Sequence, residues 1–132
     1  MKKLFIAMSL LVSGLVGCNT APEPLQIDNA LTAEEIAAAR LTPEVMWKMG
    51  RVGSHALSPD GKILLYTLTR YNMAENRGVT VVVAHNLETG EERELTDLTA
   101  NAVSPSWSGD GSHIWYATNR GGDMQLWRMD AD

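Results

Sequence analysis

Fourteen residues return after fifty positions with no gap in register. The first copy is Leu57-Ser58-Pro59-Asp60-Gly61-Lys62-Ile63-Leu64-Leu65-Tyr66-Thr67-Leu68-Thr69-Arg70. The second is Trp107-Ser108-Gly109-Asp110-Gly111-Ser112-His113-Ile114-Trp115-Tyr116-Ala117-Thr118-Asn119-Arg120. Ser, Asp, Gly, Tyr and Arg hold the same places in both, and the apolar residues fall in step. A unit that recurs at such a period cannot bury its apolar face alone and must stack on its neighbours. Each conserved position has a physical reading. Asp60-Gly61 and Asp110-Gly111 supply the positive φ of a tight hairpin. Ser58 and Ser108 can bond backbone N–H groups of the turn. Pro59 presets a turn φ, and Gly109 stands in its place in the second copy.

Around the first copy the order is strand, Asp60-Gly61 turn, strand, loop over Tyr71 to Val79, strand, Thr89-Gly90 turn, strand. Lys62 to Arg70 is rich in aliphatic and β-branched residues, and Thr80 to Ala84 is nearly all valine. Glu92 to Thr96 is charged and suits an outer edge. Four antiparallel strands per unit at this period predict propeller blades. The fold expected is all-β: a partial β-propeller, one blade over 51–98 and most of a second over 99–132. In the second copy Arg120-Gly121-Gly122-Asp123 replaces the longer loop, and Gln125 to Met129 is its third strand. Propellers close with about 4–8 blades, so the chain is expected to be the N-terminal piece of a longer protein. Alone, it is expected to be poorly soluble.

The chain opens differently. Lys2 and Lys3 precede an uncharged run from Leu4 to Gly17. That run is shorter than the roughly 20 residues of a membrane span and reads as a signal peptide over 1–17. It ends Leu15-Val16-Gly17-Cys18, which resembles the lipobox of bacterial lipoproteins, where the Cys is acylated and becomes the new N-terminus. Cys18 is the only cysteine. The resemblance implies lipidation at Cys18 and a place in the bacterial cell envelope, exported and membrane-anchored. Cleavage there removes Lys2 and Lys3 and takes the net charge from −5 to −7. The stretch 18–31, with Pro22 and Pro24, reads as a tether.

A helical lead-in follows over 32–50. Thr32-Ala33-Glu34-Glu35 fits a capping box, which accounts for the adjacent glutamates. Thr42-Pro43-Glu44 starts a second helix, and Gly50 is placed to stop it. Trp47 and its neighbouring methionines are expected to pack on the domain that follows.

Several chemistries are excluded or disfavoured. A net charge of −5 gives no basic face for nucleic acid. One cysteine permits no intrachain disulfide and no cysteine-built zinc site. His55, His85 and His113 show no close ligand spacing, and a lone Asp per turn offers calcium too few oxygens. No cofactor is implied. Ser54 and His55 are strand neighbours and point to opposite faces. Gly121-Gly122 reads as a turn. Arg70 and Arg120 are expected to make a repeated ion pair.

The Ser58-Pro59-Asp60-Gly61-Lys62 motif, with the strand ending in Tyr66, resembles TolB-like, WD-repeat-like blades. With Leu41-Thr42-Pro43-Glu44 and Arg51-Val52 before it, the region is similar to the start of the propeller in prolyl oligopeptidase family serine peptidases, the dipeptidyl-peptidase and acylaminoacyl-peptidase group. The resemblance covers 41–132. It implies a downstream hydrolase domain with a Gly-x-Ser-x-Gly nucleophile elbow and a propeller that restricts access to short peptides. No Gly-x-Ser-x-Gly occurs in these 132 residues, so no catalytic residue is assigned. The alternative is an envelope propeller that binds another protein and carries no hydrolase.

Overall fold

The computed structural model describes residues 23–132. The signal peptide over 1–17, Cys18 and the first residues of the tether lie outside the described residues. Two short helices, α1 (Ala33–Ala38) and α2 (Pro43–Lys48), lead into seven strands. These are β1 (Arg51–Leu57), β2 (Ile63–Asn72), β3 (Arg77–Asn86), β4 (Glu92–Glu94), β5 (Ala102–Trp107), β6 (His113–Thr118) and β7 (Gln125–Asp130). They form a four-stranded sheet ordered β1-β2-β3-β4 and a three-stranded sheet ordered β5-β6-β7, antiparallel throughout. This is the meander expected of one blade, followed by three strands of the next.

The two sheets stack face to face. Leu65 and Val82 of the first blade meet Ala102, Ile114 and Tyr116 of the second in one buried cluster. Alternation along β2 and β3 sends these side chains to the inter-blade face. The neighbouring residues Val79, Val81 and Val83 go to the opposite face and form a second cluster. The innermost strands share an irregularity: β1 shifts register between Val52 and His55, and β5 between Val103 and Ser106. The extra residue bends each of these strands and adds local twist.

The strands of the first hairpin run further than their apolar content suggests. The loop expected over Tyr71 to Val79 contracts to a turn, because pairing continues through Tyr71↔Gly78 and Asn72↔Arg77. The physical reason lies in Gly78. A Cβ there would sit 2.9 Å from the Tyr71 ring, so the ring lies across a residue with no side chain. Thr69 and Thr80 add a hydroxyl pair 2.8 Å apart between the same strands.

The lead-in is capped as its sequence suggests. Glu35 N–H donates to Thr32 Oγ1 at 3.2 Å, and Thr32 N–H donates to Glu35 Oε2 at 2.8 Å. Thr42 Oγ1 accepts from Val45 N–H at 3.3 Å, with Pro43 in the first turn. Gly50 does not act as a left-handed stop, since α2 ends in Met49 with extended backbone. Gly50 instead permits close approach: a Cβ would fall 2.7 Å from Leu68 Cδ1 on β2. Trp47 packs on the blade, its ring edge-on to Tyr71 at 5.1 Å. The Arg51 guanidinium lies 4.6 Å from the Trp47 ring and 4.9 Å from the Tyr71 ring.

From Leu25 onward, the stretch read as a tether lies on the blade. Leu25 is 2% exposed among Val79, Val81 and Val83. Its N–H donates to Leu98 O at 3.0 Å. Asn72 Nδ2 donates to Gln26 O at 2.7 Å, and Lys48 Nζ to Ala30 O at 3.2 Å. Leu25 and Ile27 cover this valine face together with Tyr66, Leu68 and Leu98.

Candidate functional site

The repeated turn shares its serine–aspartate bond and one backbone bond to the serine hydroxyl in both blades. Ser58 Oγ donates to Asp60 Oδ1 at 2.6 Å and accepts from the N–H groups of Lys62 and Ile63 at 3.2 and 2.9 Å. Ser108 Oγ donates to Asp110 Oδ1 at 2.6 Å and accepts from His113 N–H at 2.9 Å. Gly61 and Gly111 carry φ of +76° and +74°. Asp60 and Asp110 have ordinary φ, so the positive φ comes from the glycine alone. Pro59 and Gly111 come together across the blades, a Cβ on Gly111 lying 3.6 Å from Pro59 Cδ. The motif thus closes each hairpin and brings the two turns side by side at one end of the stack.

These bonds hold both aspartates below the usual carboxylate range. For Asp60 the hydroxyl of Ser58 is the main cause, then the Lys62 N–H. For Asp110 it is the Ser108 hydroxyl, then the backbone and hydroxyl of Ser112. A carboxyl with a depressed folded pKa adds stability above its unfolded pKa and loses it as pH falls through the folded one. The melting temperature is therefore expected to fall between about pH 5 and pH 2. Asp60→Asn with Asp110→Asn should flatten that slope. An unchanged slope in the double variant would contradict this.

The three histidines stay apart. His85 Nδ1 lies 3.1 Å from Glu92 Oε1, which also accepts from the Tyr66 hydroxyl at 3.0 Å. Burial, then the Glu92 carboxylate, raises the Tyr66 phenol. His113 Nδ1 lies 2.5 Å from Ser112 Oγ, and its Nε2 lies 3.4 Å from Asp130 Oδ1. Serine, histidine and aspartate meet here, yet Asp110 also takes the Ser112 hydroxyl, at 2.8 Å. The Asp130 side chain is 81% exposed, too solvated to hold a catalytic imidazolium. His55 and Ser54 are both exposed on β1, as strand neighbours. Among the described residues, no group of three or more His, Cys, Asp or Glu is placed to hold a metal ion.

Arg70 and Arg120 do make ion pairs, but not equivalent ones. Arg70 reaches Glu94 on the edge strand of its own blade. Arg120 reaches back to Asp97 in the crossing between blades and donates to Thr99 Oγ1 at 3.1 Å. Asp97 is lowered by the Thr99 hydroxyl first and by Arg120 after burial is offset. This arginine ties the second blade to the segment that leads into it.

A cavity of about 680 Å³ opens at the hairpin end of the first blade, between the docked segment, α2 and the β2–β3 turn. Trp47, Tyr71 and Met73 give it apolar walls, with Asp28 and Glu44 beside them. The sequence showed Trp47. It did not show that Gln26 to Asn29 would form the opposite wall, because nothing in that stretch has periodicity.

The geometry describes part of a propeller, two antiparallel sheets stacked as successive blades. No protein-family model matches the chain. Dipeptidyl-peptidase 5 of Porphyromonas gingivalis is 36% identical over 86 residues, which are 65% of this chain and 13% of that protein. The chain is a homologue of dipeptidyl-peptidase 5. It spans 13% and 14% of the two such relatives it matches, the second from Porphyromonas endodontalis. Solved structures agree on the fold. Acylaminoacyl peptidase of Pyrococcus horikoshii superposes with a TM-score of 0.54 at 26% identity, over 64% of this chain and 13% of that one. TolB of Agrobacterium tumefaciens gives 0.50 at 28% identity, over 64% and 27%. The β-propeller domain of the Trilobed protease from Pyrococcus furiosus gives 0.52 at 23%, over 64% and 25%, and speaks for the fold alone. This homologue therefore has the blade architecture of peptidase propellers and of TolB, built on the repeated serine–aspartate–glycine turn.

Proposed function

We propose that this chain is the N-terminal propeller part of an exported, lipid-anchored serine peptidase that acts on short peptides. The propeller's role is to restrict access to a hydrolase domain that follows it in the complete protein. The observation that carries the reading is the 36% identity to dipeptidyl-peptidase 5 over 86 residues. Export and anchoring rest on the uncharged run before Leu15-Val16-Gly17-Cys18.

The test is peptidase assay of the full-length protein on chromogenic dipeptide substrates, with and without a serine-directed inhibitor. Inhibitor-sensitive release of the chromophore is expected. Absence of such cleavage, with the protein folded, would overturn the peptidase reading in favour of an envelope propeller that binds a partner, for which the likeness to TolB is the support.

A further inference from the structure

We infer that β1 is a docking strand for a further blade of the complete protein, and that the docked N-terminal segment shares the same face without occupying that site. The inference rests on the reading of the chain as part of a longer propeller.

The first observation is that the strand pairings repeat with the sequence. β1 meets β2 as β5 meets β6, fifty residues on: Val52↔Leu68 becomes Ala102↔Thr118, and Leu57↔Leu64 becomes Trp107↔Ile114. The register shift recurs at the same place. Each position of β1 therefore has a counterpart in β5, whose surroundings are known. β5 lies across β1, β2 and β3, with Ala102 and Trp107 packed on the first blade. Pro105, between them, is buried. In β1 the same three places are bare. Val52 is 69% exposed where Ala102 is 1% exposed. His55 and Leu57, the counterparts of Pro105 and Trp107, are exposed as well. Blades arranged around a central channel have a neighbour on each face. The second blade takes the face of Leu65 and Val82. The face of Val52 and Leu57 fits a sheet that offers β1 the aliphatic surface which Leu65 and Val82 offer β5.

The second observation is that Leu25 and Ile27 leave these residues uncovered. They join Val79, Val81 and Val83 on β3, and Val52 and Leu57 are outside that cluster. The segment is tied to Leu98 O, beyond β4, and to Asn72 at the hairpin tip. β1 is the opposite edge of this sheet. Val79 has no paired counterpart in the second blade, because β6 and β7 stop at Thr118↔Gln125, which matches Leu68↔Val81. The segment thus covers an extension peculiar to the first blade, and β1 is left for the repeating contact.

The experiment is oxidation of the full-length protein by hydroxyl radicals, located by mass spectrometry and read on four leucines of equal chemistry. Leu65 is the buried standard and Leu87, about half exposed, the open one. Leu57 is as exposed as Leu87 in this structure. In the full-length protein it is expected to oxidise about 5-fold slower than Leu87, near the rate of Leu65. Leu126 reports on the far face of the second blade: it stands opposite Ala117 as Val82 stands opposite Thr67, and is exposed where Val82 is buried. Slow oxidation is expected there too. Leu57 at the rate of Leu87 with Leu126 protected overturns this inference alone. Both at the rate of Leu87 overturn the longer propeller and this inference together. Leu25→Ala should leave Leu57 slow, and a rise to the rate of Leu87 would mean that the segment covers β1. Protection of Leu57 that vanishes on dilution assigns the face to a second molecule and overturns the inference. A diazirine side chain at position 57 then names the occupant. The cross-linked peptide is expected to come from beyond Asp132 and to carry another Ser-x-Asp-Gly turn. A peptide from a region without such turns overturns the inference. No outcome depends on peptidase activity, so failure of the peptidase reading is told apart by its own assay.

Discussion

Leu65→Ala is expected to destabilise the propeller by about 2–5 kcal/mol. Leu65 is fully buried and sits where the two blades meet, beside Val82, Ala102, Ile114 and Tyr116. Truncation removes apolar surface and leaves a void that two sheets must close from opposite sides. Each sheet is held by its own ladder of backbone hydrogen bonds, so neither can move in to fill the gap cheaply. The cost belongs near the upper part of the range for that reason. Leu87→Ala is the control: Leu87 is about half exposed in the β3–β4 turn and should change stability by less than about 0.5 kcal/mol. A protein with a further domain need not unfold in one step. Amide exchange at Val82 and Ile114 in the full-length protein is therefore the measure, since it reads the stability of these blades directly. Ile114→Ala should act alike, and the double variant should lose less than the sum, because the two side chains border one void. Exchange in Leu65→Ala no faster than in Leu87→Ala would mean that the blades do not form the shared core.

The inter-blade core was legible because it follows from local facts. Leu65 and Ile114 belong to matched copies, and strand alternation assigns the faces once the turn at Gly61 or Gly111 fixes the register. The serine–aspartate bonds were legible for the same reason: their partners lie within five residues. What was not legible depends on partners far along the chain. Leu25 meets Val79 more than fifty residues later, and its own stretch carries two prolines and no period. Arg70 and Arg120 occupy equivalent positions in the repeat, yet one finds Glu94 and the other Asp97. Asp97 lies in the segment after β4 that leads into the second blade, where it meets the later copy. The Tyr71–Gly78 pair lengthened a hairpin that composition alone divides into strand and loop.

This division bears on function. The parts fixed by short-range chemistry are the scaffold: turns, ladders and the valine and leucine faces. The parts that the repeat does not specify are long-range: the docked segment, the cavity beside Trp47 and the Arg120 tie. A blade motif is shared by proteins with many activities. What this chain adds to that motif is concentrated at the hairpin end.

The docked segment gives the second large effect. Leu25→Ala is expected to release it without unfolding the blades. Burying a leucine side chain is worth about 1.5–3 kcal/mol, and loss of most of it should raise local opening roughly 10- to 150-fold. The readout is exchange of the Leu25 amide, whose only partner across the segment is Leu98 O at 3.0 Å. The blades keep their own ladders, so the Val82 and Ile114 amides should exchange as before. Release is not free for the face beneath, since Val79, Val81 and Val83 then meet water. That wetted face is the reason the native segment stays docked although its backbone makes few bonds. Asn72→Ala removes the second tie, the 2.7 Å bond to Gln26 O, and should add to the effect of Leu25→Ala. Gln26→Ala is the control: its side chain is exposed and its carbonyl is retained, so opening should stay within about 2-fold of the native rate. If the Leu25 amide exchanges as fast in the native protein as in Leu25→Ala, the segment is not held by the valine face. If Val82 and Ile114 speed up in step with it, the segment is an integral part of the blade core and cannot detach on its own.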